Sequence, residues 1–487
     1  MGVPLEEEPL LALDEIQGDV LRGFATSFEM LLGLRVDDPF QARAWIRTLA
    51  DSVDSTQSVD RWRAARSAGA PDPLPRVLLN LAVSHRFLSA LGYDLAALAG
   101  WFAVPPWVAG GLAGDTLAQG RPVGWKVGHD AETSVDLLIL LGSDNQAALE
   151  ITGDRLETDG SGAGLARVYR ETGQVLPGGI EHFGFRDGIS QPVPRGLRKA
   201  PAEPFSPRRL PPDDPRSGEL AGPGRPLVWP GQFVFGYATQ TEVSDHPGPI
   251  AGSTGEGADC PGWLRNGSLL VFRRLSQDVH AFRSFVQSTA PTVEASLGRP
   301  TSPEWLAASI VGRWPDGTPI ALSRDAPSPK LASDPDRVND FDFSTDGAGN
   351  LCPRMAHVRK VNPRGRTTDQ GAPGNTLALQ MLRRGIPFGP LYDVDPGTER
   401  GLLFLAWQTS PKHQFGVLQG TWMNREDNPE PGGSGHDLLV GATRGVPRTG
   451  TVEVDGRQAH VSALAPFVSG TGMAVLLAPS RSTLRDL

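Results

Sequence analysis

Cysteine is almost missing from this chain: Cys260 and Cys352 are the two in 487 residues, and neither belongs to a CxxC or CxxCH arrangement. A disulfide scaffold, a zinc cluster and a covalently attached c-type haem are therefore not expected. The nine histidines share no HExxH or other paired spacing, which argues against a multi-histidine metal site. Positive charge is also scarce, with 46 Lys and Arg against 55 Asp and Glu, a net charge of −9. Without clustered cations the chain has little with which to neutralise phosphates, so nucleic acid is not an expected partner. No apolar run approaches the length of a membrane span. The opening MGVPLEEEPLLALDEIQGD places three glutamates where a secretory leader would carry positive charge, and residue six is Glu rather than the Ser or Thr of a myristoylation signal. The expected compartment is the cytoplasm.

What remains is an ordinary globular composition, 39% hydrophobic and 21% charged, in a chain long enough for about two to three domain-sized units. The first half alternates strand and helix patterns: FEMLLGLRV (28–36), PFQARAWIRTLADSV (39–53), RVLLNLAVS (76–84), VDLLILLGS (135–143), DNQAALEITGDRLE (144–157) and LARVYRETG (165–173). Strand, helix, strand, strand, helix, strand suits a split β-α-β sheet of the ferredoxin-like kind, an α+β fold. The stretch 196–232 is rich in Pro, Arg, Asp and Gly and reads as a surface connection between a unit at 1–195 and another at 233–487. The second half partly echoes the first, through GSLLVFRRLS (267–276), helical DVHAFRSFVQST and PEWLAASIVG, GLLFLAWQ (401–408), helical KHQFGVLQGTWM and AVLLAPS (474–480). A long irregular insertion, about 315–376, interrupts it, and loops of that length are uncommon unless they serve a function.

Three residues attract attention within this frame. Asp187 in HFGFRDGISQP is either a turn cap ahead of Gly188 or an acid with a task. His357 in CPRMAHVRKVNPRG is either a partly buried histidine beside a solvated basic loop or the single protein ligand of a metal held mainly by another group, with cations waiting for anionic substituents. In QMLRRGIPFGP an extended backbone points neighbouring side chains to opposite sides, so Arg383 and Arg384 cannot both face water unless the segment is a bare turn.

The order of several such segments resembles the dye-decolourising peroxidase family. GFRDG (184–188) is similar to its GxxDG signature, and IQGDVLRGF (16–24), NDFDF (339–343), CPRMAHVRKVNPR (352–364), RRGIPFGP (383–390), GLLFLAWQ (401–408) and the closing LAPSRSTLRDL follow in the family's order, with a length like that of its larger cytoplasmic subgroup. The resemblance implies two ferredoxin-like domains of the dimeric α+β barrel type. One non-covalent haem b, iron protoporphyrin IX, is expected in the C-terminal half. It implies a peroxidase that reduces hydrogen peroxide, with Asp187 and Arg383 assisting O–O heterolysis to compound I, and that then oxidises dyes, phenols or other small aromatic donors.

On the same resemblance His357 is the expected iron ligand, with Leu402 and Phe404 narrowing the distal side. The Gly188-Ile189-Ser190 backbone is expected at the haem edge, and Arg359 and Arg364 are candidates for the propionates. Bulky donors would be oxidised at a surface Trp or Tyr, with Trp407 and Tyr392 the candidates nearest in sequence. Gly385 stands where many relatives carry Asn or Ser, which leaves more of the proton delivery to Asp187. A haem-binding or haem-handling protein with incidental peroxidase activity is the rival reading.

Overall fold

The computed structural model describes residues 9–69, 75–95, 117–118, 121–122, 125–128, 132–196, 198–200, 203–204, 209–211, 213–240, 260–443 and 445–487. Its centre is one nine-stranded antiparallel sheet. The first half contributes β1 (Phe28–Val36), β2 (Leu78–Val83), β3 (Leu137–Ser143) and β4 (Leu165–Gln174). The second contributes β5 (Ser268–Gln277), β6 (Leu382–Arg383), β7 (Ile386–Phe388), β8 (Gly401–Gln408) and β9 (Val468–Ala478).

The order along the sheet is β6-β8-β5-β9-β2-β3-β1-β4, with β7 also paired to β8. Taken separately, the first half runs β2-β3-β1-β4 and the second runs β6-β8-β5-β9, the same spatial order of first, second, third and fourth strands. Both halves are ferredoxin-like, so the partial echo in the sequence is a structural repeat. Within the sheet their strands are joined through one paired position, Leu477 of β9 against Val83 of β2.

Local chemistry accounts for the elements. Helix α1 (Pro39–Leu49) starts with Pro at its first position, and the Asp38 carboxylate accepts from the N–H groups of Phe40 and Gln41. Asn145 caps α2 (Gln146–Ser161) by accepting from Ala148 N. Strands β2 and β3 are buried along their whole length, as LLNLAV and LLILLGS require. Each fully buried Leu or Ile there contributes about 1.5–3 kcal/mol.

One core lies between the two halves of the sheet, from Leu31, Leu138 and Tyr169 to Phe272, Leu403, Leu405 and Trp407. A second lies beneath α1 and α2. In the C-terminal half α3 (Val279–Leu297) and α4 (Pro303–Val311) build a third core with Trp314, Phe343 and Met355.

Several expectations need correction. A helix at Thr56–Ser67, opened by a reciprocal Ser55–Ser58 capping box, was not read from the sequence, because its polar run STQSVDRWRAARS shows only a weak apolar face. KHQFGVLQGTWM is helical from Phe415 on, and Val417–Met423 of it is a π-helix. The stretch 196–232 does not stay at the surface throughout: Leu227 and Val228 are buried in a strand paired with Val193–Pro194. The insertion 315–376 carries only short elements, including α5 (His357–Val361). Among the described residues no helix is long and apolar enough to cross a membrane.

Candidate active site

His357 opens α5, and its Nδ1 lies 2.6 Å from Asp437 Oδ2. Asp437 is wholly buried, and its other oxygen accepts from the N–H groups of Leu439 and Val440, both at 2.9 Å. Burial alone would raise this carboxyl, but the His357 ring and those N–H groups outweigh it and hold it below the usual aspartate range. For His357 burial opposes the charged ring, and the Asp437 carboxylate reverses that and raises it. About a quarter of the His357 side chain remains accessible, and Nε2 has no protein partner among the described residues. Two charges reach the ring from elsewhere in the fold, Arg383 lowering its proton affinity and Asp187 raising it. The three residues that sequence order separates therefore act on one another through space.

Arg383 ends β6, opposite Ala406 of β8. Its guanidinium donates to Ser190 O at 2.5 Å. Its backbone is tied on both sides to the Gln191 amide, N–H to Oε1 and C=O from Nε2, each at 3.2 Å. The neighbouring Arg384 goes the other way, to Asp19 O, Val20 O and Arg383 O, where burial pulls it down to about 10. This is the alternation an extended backbone demands. Asp187 is exposed on the open side, its Oδ1 accepting from Gly188 N at 2.6 Å. Gly188 has φ +71°, so Asp187 does cap a tight turn. The turn leaves Oδ2 without a protein partner among the described residues.

Leu402 and Phe404 are half-buried on one face of β8, while Leu403 and Leu405 are fully buried on the other. Arg273 of β5 stands directly opposite Phe404 and so shares its face, donating to Gln419 Oε1 at 3.1 Å. Ile189 is half-buried and its carbonyl accepts from Asn339 Nδ2 at 3.0 Å, which ties the Gly188-Ile189-Ser190 segment to the insertion.

Arg364 lies beside this segment, donating to Ser190 Oγ at 2.7 Å and Asn339 O at 2.8 Å. Arg313 donates to Asn339 Oδ1 at 2.8 Å and to the carbonyls of Gly317 and Val338. Burial, with neighbouring arginines adding to it, brings Arg364 down to about 10 and Arg313 to about 9. Among the described residues no carboxylate forms an ion pair with Arg313, Arg364 or Arg383. Three cations held together by neutral acceptors make a place for a dianionic ligand.

Arg359 does not belong to that place. It is fully buried, bound through Nε and Nη2 to Glu430 at 2.6 and 2.9 Å, through Nη1 to Asp346 at 3.0 Å and to the carbonyls of Cys352 and Asp346. Its donors are spent on fastening the insertion that carries His357, so it has none for a propionate. Trp407 likewise is no surface residue: it is fully buried and its indole N–H donates to Asp19 Oδ2 at 2.7 Å. Tyr392 is half-buried against His280, with Arg283 and Arg400 over its ring. Sequence reading missed Asp437, Arg313, Asn339 and Arg273. Only the Asn339 segment, within NDFDF, had a signal that could have drawn attention to it.

Comparison with known proteins follows the same lines. Residues 254–431 match the family model described as Dyp-type peroxidase, C-terminal. The chain is similar to dye-decolorizing peroxidase msp1 of Mycetinis scorodonius, 30% identical over 98% of this chain and 88% of that one. It is similar also to dye-decolorizing peroxidase AauDyP1 of Auricularia auricula-judae, 29% identical over 90% of this chain and 79% of that one. Among solved structures, a dye-decolorizing peroxidase in complex with 2,6-dimethoxyphenol superposes with a TM-score of 0.76 at 28% identity, covering 98% of this chain and 99% of the other. A single-residue mutant of the dye-decolorizing peroxidase from Pleurotus ostreatus superposes at 0.79 with 26% identity and the same coverage.

Proposed function

Since the chain belongs to the dye-decolourising peroxidase family, we propose that it reduces hydrogen peroxide with a non-covalent haem b and oxidises dyes and small phenols. The observation that carries the proposal is geometric: Asp437 holds His357 through Nδ1 and leaves Nε2 open, while Arg383 and Arg364 converge on Ser190, three residues after Asp187. That relation suits an imidazole on one side of a cofactor and an acid with a guanidinium on the other.

The residues suit the group. His357 offers Nε2 while its Nδ1–H donates to the Asp437 carboxylate, which fixes the tautomer and makes the ring a stronger ligand. Arg364 and Arg313, lacking carboxylate partners, suit the two propionates. Gly188, Ile189 and Ser190 would line the edge, and Leu402 and Phe404 would limit the room on the distal side. Cys352 is buried, with its thiol pushed up to about 12 mainly by that burial, and Cys260 is pushed up to about 11 in the same way; neither suits a thioether link. When bound, haem supplies the iron that takes up peroxide oxygen and the oxidising equivalents passed to donors.

The chain's own part is proton transfer and charge stabilisation. Asp187 Oδ2 takes the proton from one peroxide oxygen and returns it to the other, which leaves as water. Arg383 sets a fixed positive charge beside the bond that polarises, an effect of about 2.7–4 kcal/mol when such a donor is well placed. Gly385 offers no side chain to hydrogen-bond distal water, which leaves more of the proton delivery to Asp187. The relative solved with 2,6-dimethoxyphenol suggests a donor of that class for this chain as well.

An absorption spectrum of the purified protein, before and after one equivalent of peroxide, tests the reading. A Soret band that shifts at once is expected. A colourless protein that fails to take up added haem, or haem that only bleaches slowly, would overturn it.

A further inference from the structure

Glu181 stands shortly before Asp187 and has no part in the reading above. The segment between them is folded around its carboxylate. Oε1 accepts from Phe185 N at 3.0 Å, and Oε2 from Phe183 N at 3.0 Å and Gln277 Nε2 at 2.5 Å. The Glu181 N–H donates to Phe185 O at 2.9 Å and its C=O accepts from Gly184 N at 2.9 Å. Ile180 bridges to Arg186, and Asp187 N donates to Gly179 O at 3.2 Å. Asp187 is thus the residue at which the chain leaves a loop closed on one carboxylate.

Gln277, at the end of β5, is the one neighbour that can respond to a proton. Its N–H donates to Arg400 O at 2.9 Å and its side chain is buried, yet its Oε1 has no partner among the described residues. The Gln277 amide lies 2.5 Å from Glu181, within reach of a hydrogen bond of either direction. Amide oxygen and nitrogen have nearly the same shape, so turning the amide over brings Oε1 against Glu181 without moving anything else. An ionised Glu181 then accepts from Nε2, and a protonated one donates to Oε1.

We propose that Glu181 is the positioning residue of the Asp187 loop and that Gln277 follows its proton, turning its amide over so that the loop stays closed on both sides of the titration. The inference rests on the reading of Asp187 as the distal acid. Burial pushes Glu181 up to about 7, and the Asp187 charge adds to that. The other charged or titratable groups nearby are tied elsewhere. His182 holds Phe388 O through Nε2, and burial lowers its affinity for a proton. Arg186 donates to the carbonyls of Asp316 and Ala332, Arg400 to those of Pro390, Asp395 and Thr398, and Asp278 caps α3 by accepting from Ala281 N. Above the titration the loop gains the negative charge of Glu181 close to Asp187, and below it that charge is gone.

Infrared difference spectra of the haem-free and haem-loaded protein from about pH 5 to about pH 9 test this, together with the rate of reaction with peroxide over the same range. A protonated-carboxyl band should vanish near pH 7 in the native chain and be missing from Glu181→Gln. The peroxide rate should show an inflection at the same pH, lost in that variant along with about tenfold of the rate, because an amide cannot accept three N–H groups. Gln277→Met separates the two halves of the idea. If the amide serves both protonation states, its removal leaves the titration in place and lowers the unfolding temperature on both sides of it. A fixed donor to a charged group is worth about 1.5–3 kcal/mol, and its loss would move the titration up by about one to two units. That upward move, or a native chain without the carboxyl band, overturns the proposal. Absence of any peroxide reaction with the infrared titration intact would instead remove the functional reading of Asp187.

Discussion

Asp437 Oδ2 lies 2.6 Å from His357 Nδ1 while its other oxygen is fixed by two backbone N–H groups, so the imidazole cannot turn without leaving a buried carboxylate unpaired. This is the arrangement by which a ligand histidine is held in one tautomer and one orientation. Replacing Asp437 with Asn should keep the fold and weaken haem retention about 10- to 100-fold, as loss of such a partner commonly does. Titration of the haem-free variant with haem measures it, and retention equal to the native chain would remove Asp437 from the role.

Asp187→Ala should leave the ferric spectrum in place and slow the reaction with peroxide on the order of 10²–10⁴-fold, the usual worth of a placed acid-base group. Stopped-flow absorbance is the measurement. A variant that reacts at the native rate would show that the Gly188 turn, not proton transfer, is the reason for the aspartate.

Two nearby arginines should fail in different ways. Arg359→Met breaks a fully buried pair and leaves Glu430 with the partly exposed Arg366 at 2.9 Å as its nearest cation, with Asp346 losing its arginine as well, which should cost about 3–5 kcal/mol of stability. Arg364→Met removes a cation that has no carboxylate partner, so unfolding of the haem-free protein should change little while haem binds more weakly. Thermal unfolding and haem titration of both variants decide it, and the reverse pattern would return Arg359 to the propionates.

Acid should act through Glu430. Burial raises its carboxyl, but hydrogen bonds and charge from Arg359, then Arg366, bring it below the ordinary value of 4.5. Its folded affinity for protons is lower than its unfolded one, so its contribution to stability is complete above about pH 4.5 and is lost as the pH falls through the folded value. The urea midpoint of the native chain should drop across that range more steeply than that of Glu430→Gln, and equal slopes would exclude the carboxylate as the cause.

Strand β1 was legible to the residue because FEMLLGLRV has the apolar character of a central strand, and the repeated β-α-β order followed from such runs. His357, Asp187 and Arg383 were singled out through the order of whole motifs, since alone they read more readily as a partly buried histidine, a capped turn and a solvated cation. Arg359 misled because charge near a ligand says nothing of direction: its partner Glu430 lies 71 positions away, and a side chain two residues after His357 on a helical turn faces away from it. Asp437 was hidden for the same reason, 80 positions from the ring it holds.

Arg384 reaches back 365 positions to the carbonyl of Asp19, and Asp437 is needed to orient His357. Nearly the whole of this span must therefore be synthesised before His357, Asp437 and the strand bearing Arg383 and Arg384 can stand together. The orientation of His357 is accordingly settled only late in the making of the chain.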